Sequence, residues 1–205
     1  MDGAAPLTSM RARPEILLIR HGMPNIRSPR ACGGAEFLAW RHRYGEVDLH
    51  PASRPPRALL AELDGVTRLV TSELRRAVQS GERLGLAHPP VVCRDLSETA
   101  LPLLTLPWVR MSADAWVALA RLSQRFGYTA GTESIGAARR RARRAATDLA
   151  QQAQAVGRIA VVGHGTLNRF VAEALVRSGW TLRSREGREF WRWQLFEAPT
   201  GRPST

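Results

Sequence analysis

The stretch EILLIRHG, residues 15–22, decides the fold that this sequence predicts. Its four central residues, Ile16 to Ile19, are all apolar, and a glycine ends the stretch. A short, wholly apolar run of this kind is typical of a strand buried on both faces, as in a parallel sheet. The strand carries Arg20 and His21 at its carboxyl end, which is where open α/β sheets bind their ligands. An anion bound at that edge would account for a cation and a histidine in succession.

Other short apolar runs predict the remaining strands of the same sheet. These strands are expected at residues 69–71, 91–93, 159–162 and 190–196. Helices are predicted at residues 37–44, 56–63, 72–85, 113–125 and 135–155, followed by a last helix with Thr166 as its N-cap. Strands that alternate with helices predict an α/β fold. We expect a three-layer α/β/α sandwich, with a mostly parallel central sheet and helices on both faces, in which 190–196 is a half-exposed strand near the edge.

The length and composition of the chain fit one hydrophobic core. With 205 residues, of which 44% are hydrophobic, we expect a single domain over residues 1–205 with loose tails at about 1–13 and 198–205. Cys32 and Cys93 show neither metal-site nor redox-motif spacing, so both are predicted to be free, buried thiols. The sequence has no apolar run long enough to cross a bilayer and no signal-peptide core near its start. These features favour a soluble, cytoplasmic protein without a membrane partner.

The strong positive charge has two interpretations. A net charge of +12 is typical of proteins that bind nucleic acids. All 30 basic residues are arginine, however, and this skew indicates codon bias rather than selection for a nucleic-acid backbone. The arginine run from Arg139 to Arg144 has no interleaved aromatic residues, and we interpret it as the solvated face of a helix. We therefore expect no nucleic-acid partner.

Three predicted strands lead into residues that suit a phosphate group. Arg20 and His21 follow the first strand, residues 72–76 follow the second, and His164 follows the apolar run 159–162. Because the carboxyl ends of parallel strands meet at one crevice, two histidines and two arginines would form a cationic pocket of about the size of one phosphate. The helix after His164 would add its amide groups and its dipole. No acidic cluster of metal-ligand type accompanies these residues, so the chemistry is expected to need neither a metal nor another cofactor.

Two long connections, residues 22–56 and 99–131, are predicted to form walls over this pocket. Several large apolar side chains in the second wall suggest that part of the ligand is apolar. They are Leu101, Leu104, Trp108 and Trp116.

These motifs resemble the histidine phosphatase superfamily, which is also called phosphoglycerate mutase-like. The matching elements span residues 15 to about 176 in the order and at the spacing that the family shows. They are Arg20-His21-Gly22, the S-x-L-x-R-A motif at 72–77, Leu96-x-Glu98, His164-Gly165, and Glu133-Ser134 as a variant of the Gly-Glu-Ser element of the family.

The resemblance implies a role for each matching side chain. His21 would be the nucleophile that forms a phosphohistidine, and Arg20 and Arg76 would hold the phosphoryl oxygens. His164 would stabilise the charge of the transition state, for which its protonated form is the most useful, and Glu98 would protonate the leaving oxygen. Asp95 lies three residues before Glu98 and stays open as the alternative acid.

Departures from the family pattern bear on the substrate. The chain has MPNIR after Gly22, so either Asn25 or Arg27 would take the place of the asparagine that touches the phosphate in the family. The segment TALP at 99–102 replaces a glycine-containing segment of the mutases. The sequence thus favours a metal-independent phosphatase for a small-molecule phosphate ester. A phosphoglycerate mutase-type phosphotransferase and a catalytically weak phosphate-binding or interaction protein are the alternatives.

Overall fold

The computed structural model describes residues 13–200. The elements in chain order are β1 (Glu15–Arg20), α1 (Gly34–Glu46), α2 (Arg57–Ala61), β2 (Arg68–Thr71), α3 (Arg75–Arg83), β3 (Val91–Val92), a short 3₁₀ helix (Arg94–Leu96), α4 (Ala113–Arg125), α5 (Ile135–Val156), β4 (Arg158–Gly163), α6 (Gly165–Arg177), β5 (Thr181–Glu186) and β6 (Trp193–Glu197). Most of the two predicted tails lies outside the described residues. Ala198, which the sequence assigned to the second tail, is buried, and its amide donates a hydrogen bond to the carbonyl of Pro14.

The six strands form one mixed sheet in the order β3-β2-β4-β1-β6-β5. Strands β3, β2, β4 and β1 are parallel, while β6 pairs antiparallel with both β1 and β5. The predicted α/β fold with a mostly parallel sheet is therefore confirmed. The parallel strands bring the carboxyl ends of β1, β2 and β4 to one edge, where the candidate site lies.

The last predicted strand does lie near the edge of the sheet, with only β5 outside it. It begins at Trp193 rather than at residue 190, however, and it is mostly buried rather than half-exposed. The sequence analysis missed β5 because most of its residues are exposed and three of its six are charged. An edge strand with one solvated face needs no apolar run, so hydrophobicity alone does not reveal it.

Each face of the sheet packs against its own pair of helices. One face of β1, with Ile16 and Leu18, packs with α5 and α6, and the other face, with Leu17 and Ile19, packs with α2 and α3. The buried side of α5 consists mostly of alanine, which lets the backbone of this helix lie close to its neighbours. Its buried residues are Ala138, Ala142, Ala145, Ala146, Leu149 and Ala153.

Helices α1 and α4 form a third cluster beside the sheet. Trp116 of α4 is fully buried and stacks on Phe37 of α1, with the ring centroids 5.7 Å apart. The indole of Trp116 donates a hydrogen bond to the carbonyl of Cys32 at 2.9 Å. Trp116 therefore joins the two walls, and the prediction that it faces a ligand is wrong.

Four helices begin at other residues than predicted, of which α1 begins at Gly34 rather than at residue 37 and α2 at Arg57 rather than at residue 56. Helix α3 begins at Arg75 and leaves Ser72 in the loop after β2. The N-cap of α6 is His164 and not Thr166, which lies in the first turn of the helix and whose backbone N–H donates to Glu98 Oε2 at 3.2 Å. Both cysteines are free as predicted, Cys32 buried and Cys93 half-buried. Within residues 13–200 no helix has both the length and the apolarity to span a membrane.

Truncating the buried strand is expected to destabilise the fold strongly. Leu18 is 1% exposed in the centre of β1. Leu18→Ala should lower the free energy of unfolding by about 2–5 kcal/mol, because the cavity left in a parallel sheet packed on both faces collapses only partly. The matched control is Leu60→Ala in α2, where the side chain is 42% exposed and the expected loss is about 0.5 kcal/mol. Denaturant unfolding measures both, and equal losses would contradict the described core.

Candidate active site

The backbone fixes the ring of His21 at the end of β1. The side chain is 2% exposed, and its Nδ1 lies 2.7 Å from the carbonyl oxygen of Gly22. A carbonyl oxygen only accepts hydrogen bonds, so Nδ1 carries the proton in the neutral ring. Nε2 is then left with its lone pair free, as a nucleophile requires.

Gly22 is needed for close packing next to this histidine. A Cβ atom at Gly22 would stand 2.6 Å from Ser53 Oγ and 2.6 Å from two carbon atoms of the Trp191 ring. The indole of Trp191 donates to Ser53 Oγ at 2.9 Å, which fixes the ring against the glycine. The absence of a side chain at Gly22 thus lets Trp191 and Ser53 approach the backbone closely.

His164 faces His21 from the end of β4. The two ring centroids are 4.9 Å apart, and His164 is fully buried. Its Nε2 lies 2.6 Å from Ser72 Oγ, and its Nδ1 lies 3.5 Å from a guanidinium nitrogen of Arg76. Because arginine only donates, Nδ1 is the accepting nitrogen and Nε2–H donates to Ser72.

Asn168 joins the ends of β1 and β4 by hydrogen bonds. It was not among the site residues predicted from the sequence. Its Oδ1 accepts from the amide of His164 at 3.1 Å, and its Nδ2 donates to the carbonyl of Ile19 at 2.9 Å. A side chain at Gly163 would overlap Oδ1 of Asn168. Asn168 and Gly163 therefore set the spacing of the strand ends that carry the two histidines.

Arg20 and Arg76 bring two positive charges to the histidines. Their guanidinium groups lie over aromatic rings, Arg20 at 4.8 Å from the centroid of Phe190 and Arg76 at 4.9 Å from that of Tyr44. Neither forms an ion pair with a carboxylate among residues 13–200, and the buried Nε of each has no hydrogen-bond partner there. Unpaired buried donors are costly, and a bound anion would satisfy them.

Burial and neighbouring charges favour the neutral form of both histidines. Burial, and then the positive charge of Arg76, lowers the pKa of His21 from 6.5 to about 3. Burial also lowers the pKa of His164 well below its usual value, followed by the proximity of His21 and Arg76. The neutral form suits His21 as a nucleophile. The protonated form, which would be the most useful one for His164, is disfavoured, since a proton on it would add a third positive charge beside Arg20 and Arg76.

Glu98 lies at the amino end of α6. Its Oε2 accepts from the amide of Thr166 at 3.2 Å, and its Oε1 accepts from the amides of Leu167 at 3.3 Å and Thr99 at 2.9 Å. The carboxylate thus caps a helix and also lines the cleft described below. Asp95 instead points to Arg144, at 3.5 Å, and does not line the cleft.

A clamp formed by Arg141 and Glu133 holds the loop before Glu98. The guanidinium of Arg141 donates to both carboxylate oxygens of Glu133, at 2.6 and 2.9 Å, and to the carbonyls of Asp95 and Ser97, each at 2.8 Å. Four residues of the arginine run are exposed, as predicted for a solvated face, but Arg141 is an exception. The sequence offered a signal for the clamp in Glu133, the acid of the altered Gly-Glu-Ser element.

Arg20, Arg76 and Glu98 line a cleft of about 670 Å³ between the sheet edge and the two walls, whereas the buried His21 and His164 are not among its lining residues. The walls contribute apolar side chains and two arginines, Arg41 and Arg121, and the residue before β6 contributes a third, Arg192; none of the three was predicted for the site. The lining includes Arg20, Ile26, Trp40, Arg41, Tyr44, Arg76, Glu98, Leu101, Asp114, Val117, Arg121, Phe190 and Arg192.

Several predicted lining residues lie elsewhere. Of the apolar residues proposed for the second wall only Leu101 lines the cleft, and Trp108 is fully exposed. Asn25 and Arg27 are exposed and do not line it either. No cluster of three or more side chains suited to bind a metal occurs in residues 13–200.

A cationic cleft at the carboxyl ends of parallel strands is the kind of site at which α/β proteins bind anionic ligands. The family model of the histidine phosphatase superfamily (branch 1) matches residues 51–193, and the chain belongs to this superfamily. The matched residues include Arg76, Glu98 and His164, whereas Arg20 and His21 precede them.

Solved structures show the same fold at low sequence identity. A mutant phosphoserine phosphatase from Entamoeba histolytica, in complex with phosphoserine, is 15% identical, with a TM-score of 0.53 over 80% of each chain. The ecdysone phosphate phosphatase of Bombyx mori, in complex with tungstate, is 14% identical, with a TM-score of 0.52 over 94% of this chain and 95% of its own. No curated protein sequence matches this chain.

The buried, neutral histidines are expected to make stability depend on pH. In the unfolded chain His21 and His164 take up protons below about pH 6.5, whereas folding lowers both pKa values. Between about pH 6.5 and pH 5 the unfolded state therefore binds more protons, and the free energy of unfolding should fall with falling pH. The slope should reach up to about 1.4 kcal/mol per pH unit for each histidine. Denaturant unfolding at a series of pH values measures it.

Two variants test whether the buried histidines cause this change of the free energy of unfolding with pH. His21→Asn should lessen it, because one of the two buried rings is removed. His88 is exposed, so His88→Asn should keep the slope of the unaltered protein. A slope in His21→Asn that equals that of the unaltered protein would contradict the neutral state of His21.

Proposed function

We propose that this protein is a phosphatase that hydrolyses a small-molecule phosphate monoester through a phosphohistidine on His21, without a metal or other cofactor. One observation carries the proposal: two buried histidines face each other beside Arg20 and Arg76, which no carboxylate among the described residues neutralises. Membership in the histidine phosphatase superfamily supports it.

In the first step the ester phosphate binds between the two arginines. Planar guanidinium groups match phosphoryl oxygens and hold them by charge-assisted hydrogen bonds. Nε2 of His21 forms a bond to phosphorus, and the bond from phosphorus to the ester oxygen breaks. Glu98, in its protonated form, gives its proton to that leaving oxygen, so the product alcohol leaves neutral.

In the second step a water molecule attacks the phosphohistidine. The oxygen of water bonds to phosphorus, the phosphorus–nitrogen bond breaks, and the carboxylate of Glu98 takes the proton from the water. Inorganic phosphate leaves, and His21 is again neutral at Nε2. A covalent route of this kind divides one difficult displacement into two easier ones.

His164 stabilises the charge that develops on the phosphoryl oxygens. Burial, and then the proximity of His21 and Arg76, lowers its pKa and favours the neutral ring. A bound phosphate adds negative charge next to these cations, which raises the pKa of His164 and favours a proton on Nδ1. The hydrogen bond between Nε2–H and Ser72 Oγ at 2.6 Å holds the ring in place for this change.

A panel of phosphate esters tests the proposal against its two alternatives. A phosphatase releases inorganic phosphate in equal amount to the alcohol, and a chelator leaves the rate unchanged. A mutase-type phosphotransferase moves the phosphate to another position of the substrate and releases little of it. A phosphate-binding protein without turnover binds the esters and converts none. Loss of activity on chelation, restored by a divalent metal, would contradict the metal-independent mechanism.

A further inference from the structure

A second groove adjoins the candidate active site. It lies between α6 and the strands β5 and β6, encloses about 650 Å³, and shares Gly165, Thr166 and Arg192 with the cleft. The two spaces therefore meet at the amino end of α6. Nothing in the proposed hydrolysis of a simple monoester uses this groove.

A series of arginines leads from the phosphate pocket into the groove. The amide of Arg20 donates to the carbonyl of Arg192 at 2.8 Å, so the two residues are neighbours across the strand ends. Arg185 of β5 pairs with Gln194, which follows Arg192 by two positions and therefore lies on the same face of the sheet. Arg192, Gln194 and Arg185 all line the groove. Arg20, Arg192 and Arg185 thus follow one another outward on the α6 face.

These charges are not neutralised by the protein. Within residues 13–200 neither Arg185 nor Arg192 forms an ion pair or a side-chain hydrogen bond. The one acid among the described lining residues, Glu173, lies 3.7 Å from Arg169 of the same helix. Burial, and then the charges of Arg20 and Arg185, lowers the pKa of Arg192, as expected for neighbouring cations.

The arginines in the wall of the cleft, unlike Arg185 and Arg192, donate hydrogen bonds to the protein itself. Arg41 donates to the carbonyl of Leu101 at 2.6 Å, and Arg121 donates to the carbonyl of Thr99 at 3.0 Å. Their donors hold the wall in place. The groove, in contrast, offers guanidinium groups whose donors are free for a ligand.

We propose that the groove binds a second phosphoryl group of the substrate, so that the substrate class is a small molecule with two phosphates. One phosphate is hydrolysed at His21, and the other is held by Arg192 and Arg185. This inference rests on the proposed function, because it takes the pocket at His21 as the site of the first phosphate. Arg185 is exposed, so its contribution to affinity is modest.

Binding of phosphonates to the purified protein tests the inference without turnover. A series of alkane bisphosphonates of increasing chain length is compared with alkyl monophosphonates that carry a terminal hydroxyl group in place of the second phosphonate. Their carbon–phosphorus bonds are not hydrolysed by a phosphatase. At one chain length the bisphosphonate should bind at least about 10-fold more tightly than its matched monophosphonate at physiological salt. Isothermal titration calorimetry gives both dissociation constants.

Charge-matched variants identify the residues responsible. Arg185→Gln and Arg192→Gln should bring the ratio of the two affinities close to one. Arg183→Gln removes the same charge from the same strand, but Arg183 pairs with Glu197 at 3.6 Å and does not line the groove, so this variant should keep the ratio. A ratio near one in the unaltered protein at every chain length, or an equal fall in Arg183→Gln, would overturn the inference. Failure of the monophosphonates to bind would instead count against the pocket at His21.

Discussion

Replacing His21 with alanine is expected to abolish phosphate release, with kcat falling at least about 10⁴-fold. The proposed covalent intermediate forms on Nε2 of this residue, which the hydrogen bond from Nδ1 to Gly22 leaves unprotonated. His164 cannot substitute for it, because its Nε2 donates to Ser72 and its Nδ1 accepts from Arg76. Acid-labile phosphate trapped on the protein during turnover should be absent from His21→Ala, and mass spectrometry of quenched samples measures this.

The matched control is His88→Ala, in which an exposed histidine outside the cleft is removed. Both the rate and the trapped phosphoprotein should stay as in the unaltered protein. A phosphoprotein that persists in His21→Ala would place the intermediate on another residue and contradict the mechanism.

The second large effect is expected at Glu98, and its size should depend on the leaving group. An alkoxide is a poor leaving group and needs a proton, whereas a nitrophenolate leaves readily without one. Since general acid catalysis contributes about 10²- to 10⁴-fold, Glu98→Gln should slow formation of the phosphohistidine by about that factor on an alkyl phosphate. On a nitrophenyl phosphate this step should change far less. Burst kinetics separates it from breakdown of the intermediate, which should slow with both esters.

Two measurements distinguish the proposed role of Glu98 as general acid from its role in capping α6. Loss of a helix cap lowers stability by about 0.5–2 kcal/mol, but it does not distinguish between leaving groups. Asp95→Asn removes the neighbouring carboxylate, which pairs with Arg144 outside the cleft, and should leave the leaving-group dependence unaltered. Equal losses for both esters in the formation step of Glu98→Gln would mean that Glu98 is not the acid.

Much of the fold could be predicted from hydrophobic pattern, because strands buried on both faces are short apolar runs. The segments around Leu18 and Val161 met this condition, and the structure confirms both as neighbouring parallel strands. Strand β5 did not meet it, since its residues are mostly exposed and only pairing with β6 makes them a strand. The start of α6 was mispredicted, because its N-cap is His164. The side chain of His164 makes no capping hydrogen bond, so the sequence shows no capping signal at this position.

Within the candidate site, the sequence predicted residues whose position follows from the end of a strand. His21, Arg20 and His164 are of this kind, and the structure brings them together. Asn168 was missed, because an asparagine in the first turns of a helix gives no local signal of its hydrogen bond to another strand. The protonation state of His164 could not be predicted from the sequence either, since its pKa depends on burial and on charges from three other segments.

The wall residues were the least predictable. Trp116 and Trp108 are the same amino acid in the same segment, yet one is fully buried and the other fully exposed. Which of them lines a cleft depends on how α4 packs on α1, and that packing joins residues far apart in the chain. Amino-acid type alone therefore could not distinguish a lining residue from a core residue.

The clamp of Arg141 and Glu133 has a consequence for protein engineering. The chain leaves the site at Glu98, which hydrogen bonds fasten to α6, and it returns at Glu133, which Arg141 fastens to α5. Both ends of the intervening segment, residues 99–132, are thus anchored to helices that pack on the sheet, in addition to the hydrogen bonds that Arg121 and Gln124 of the segment make to these ends. This segment is a natural unit for loop grafting. Exchanging it would give the cleft a new wall and a new choice of substrate, while the histidines and arginines at the strand ends stay in place.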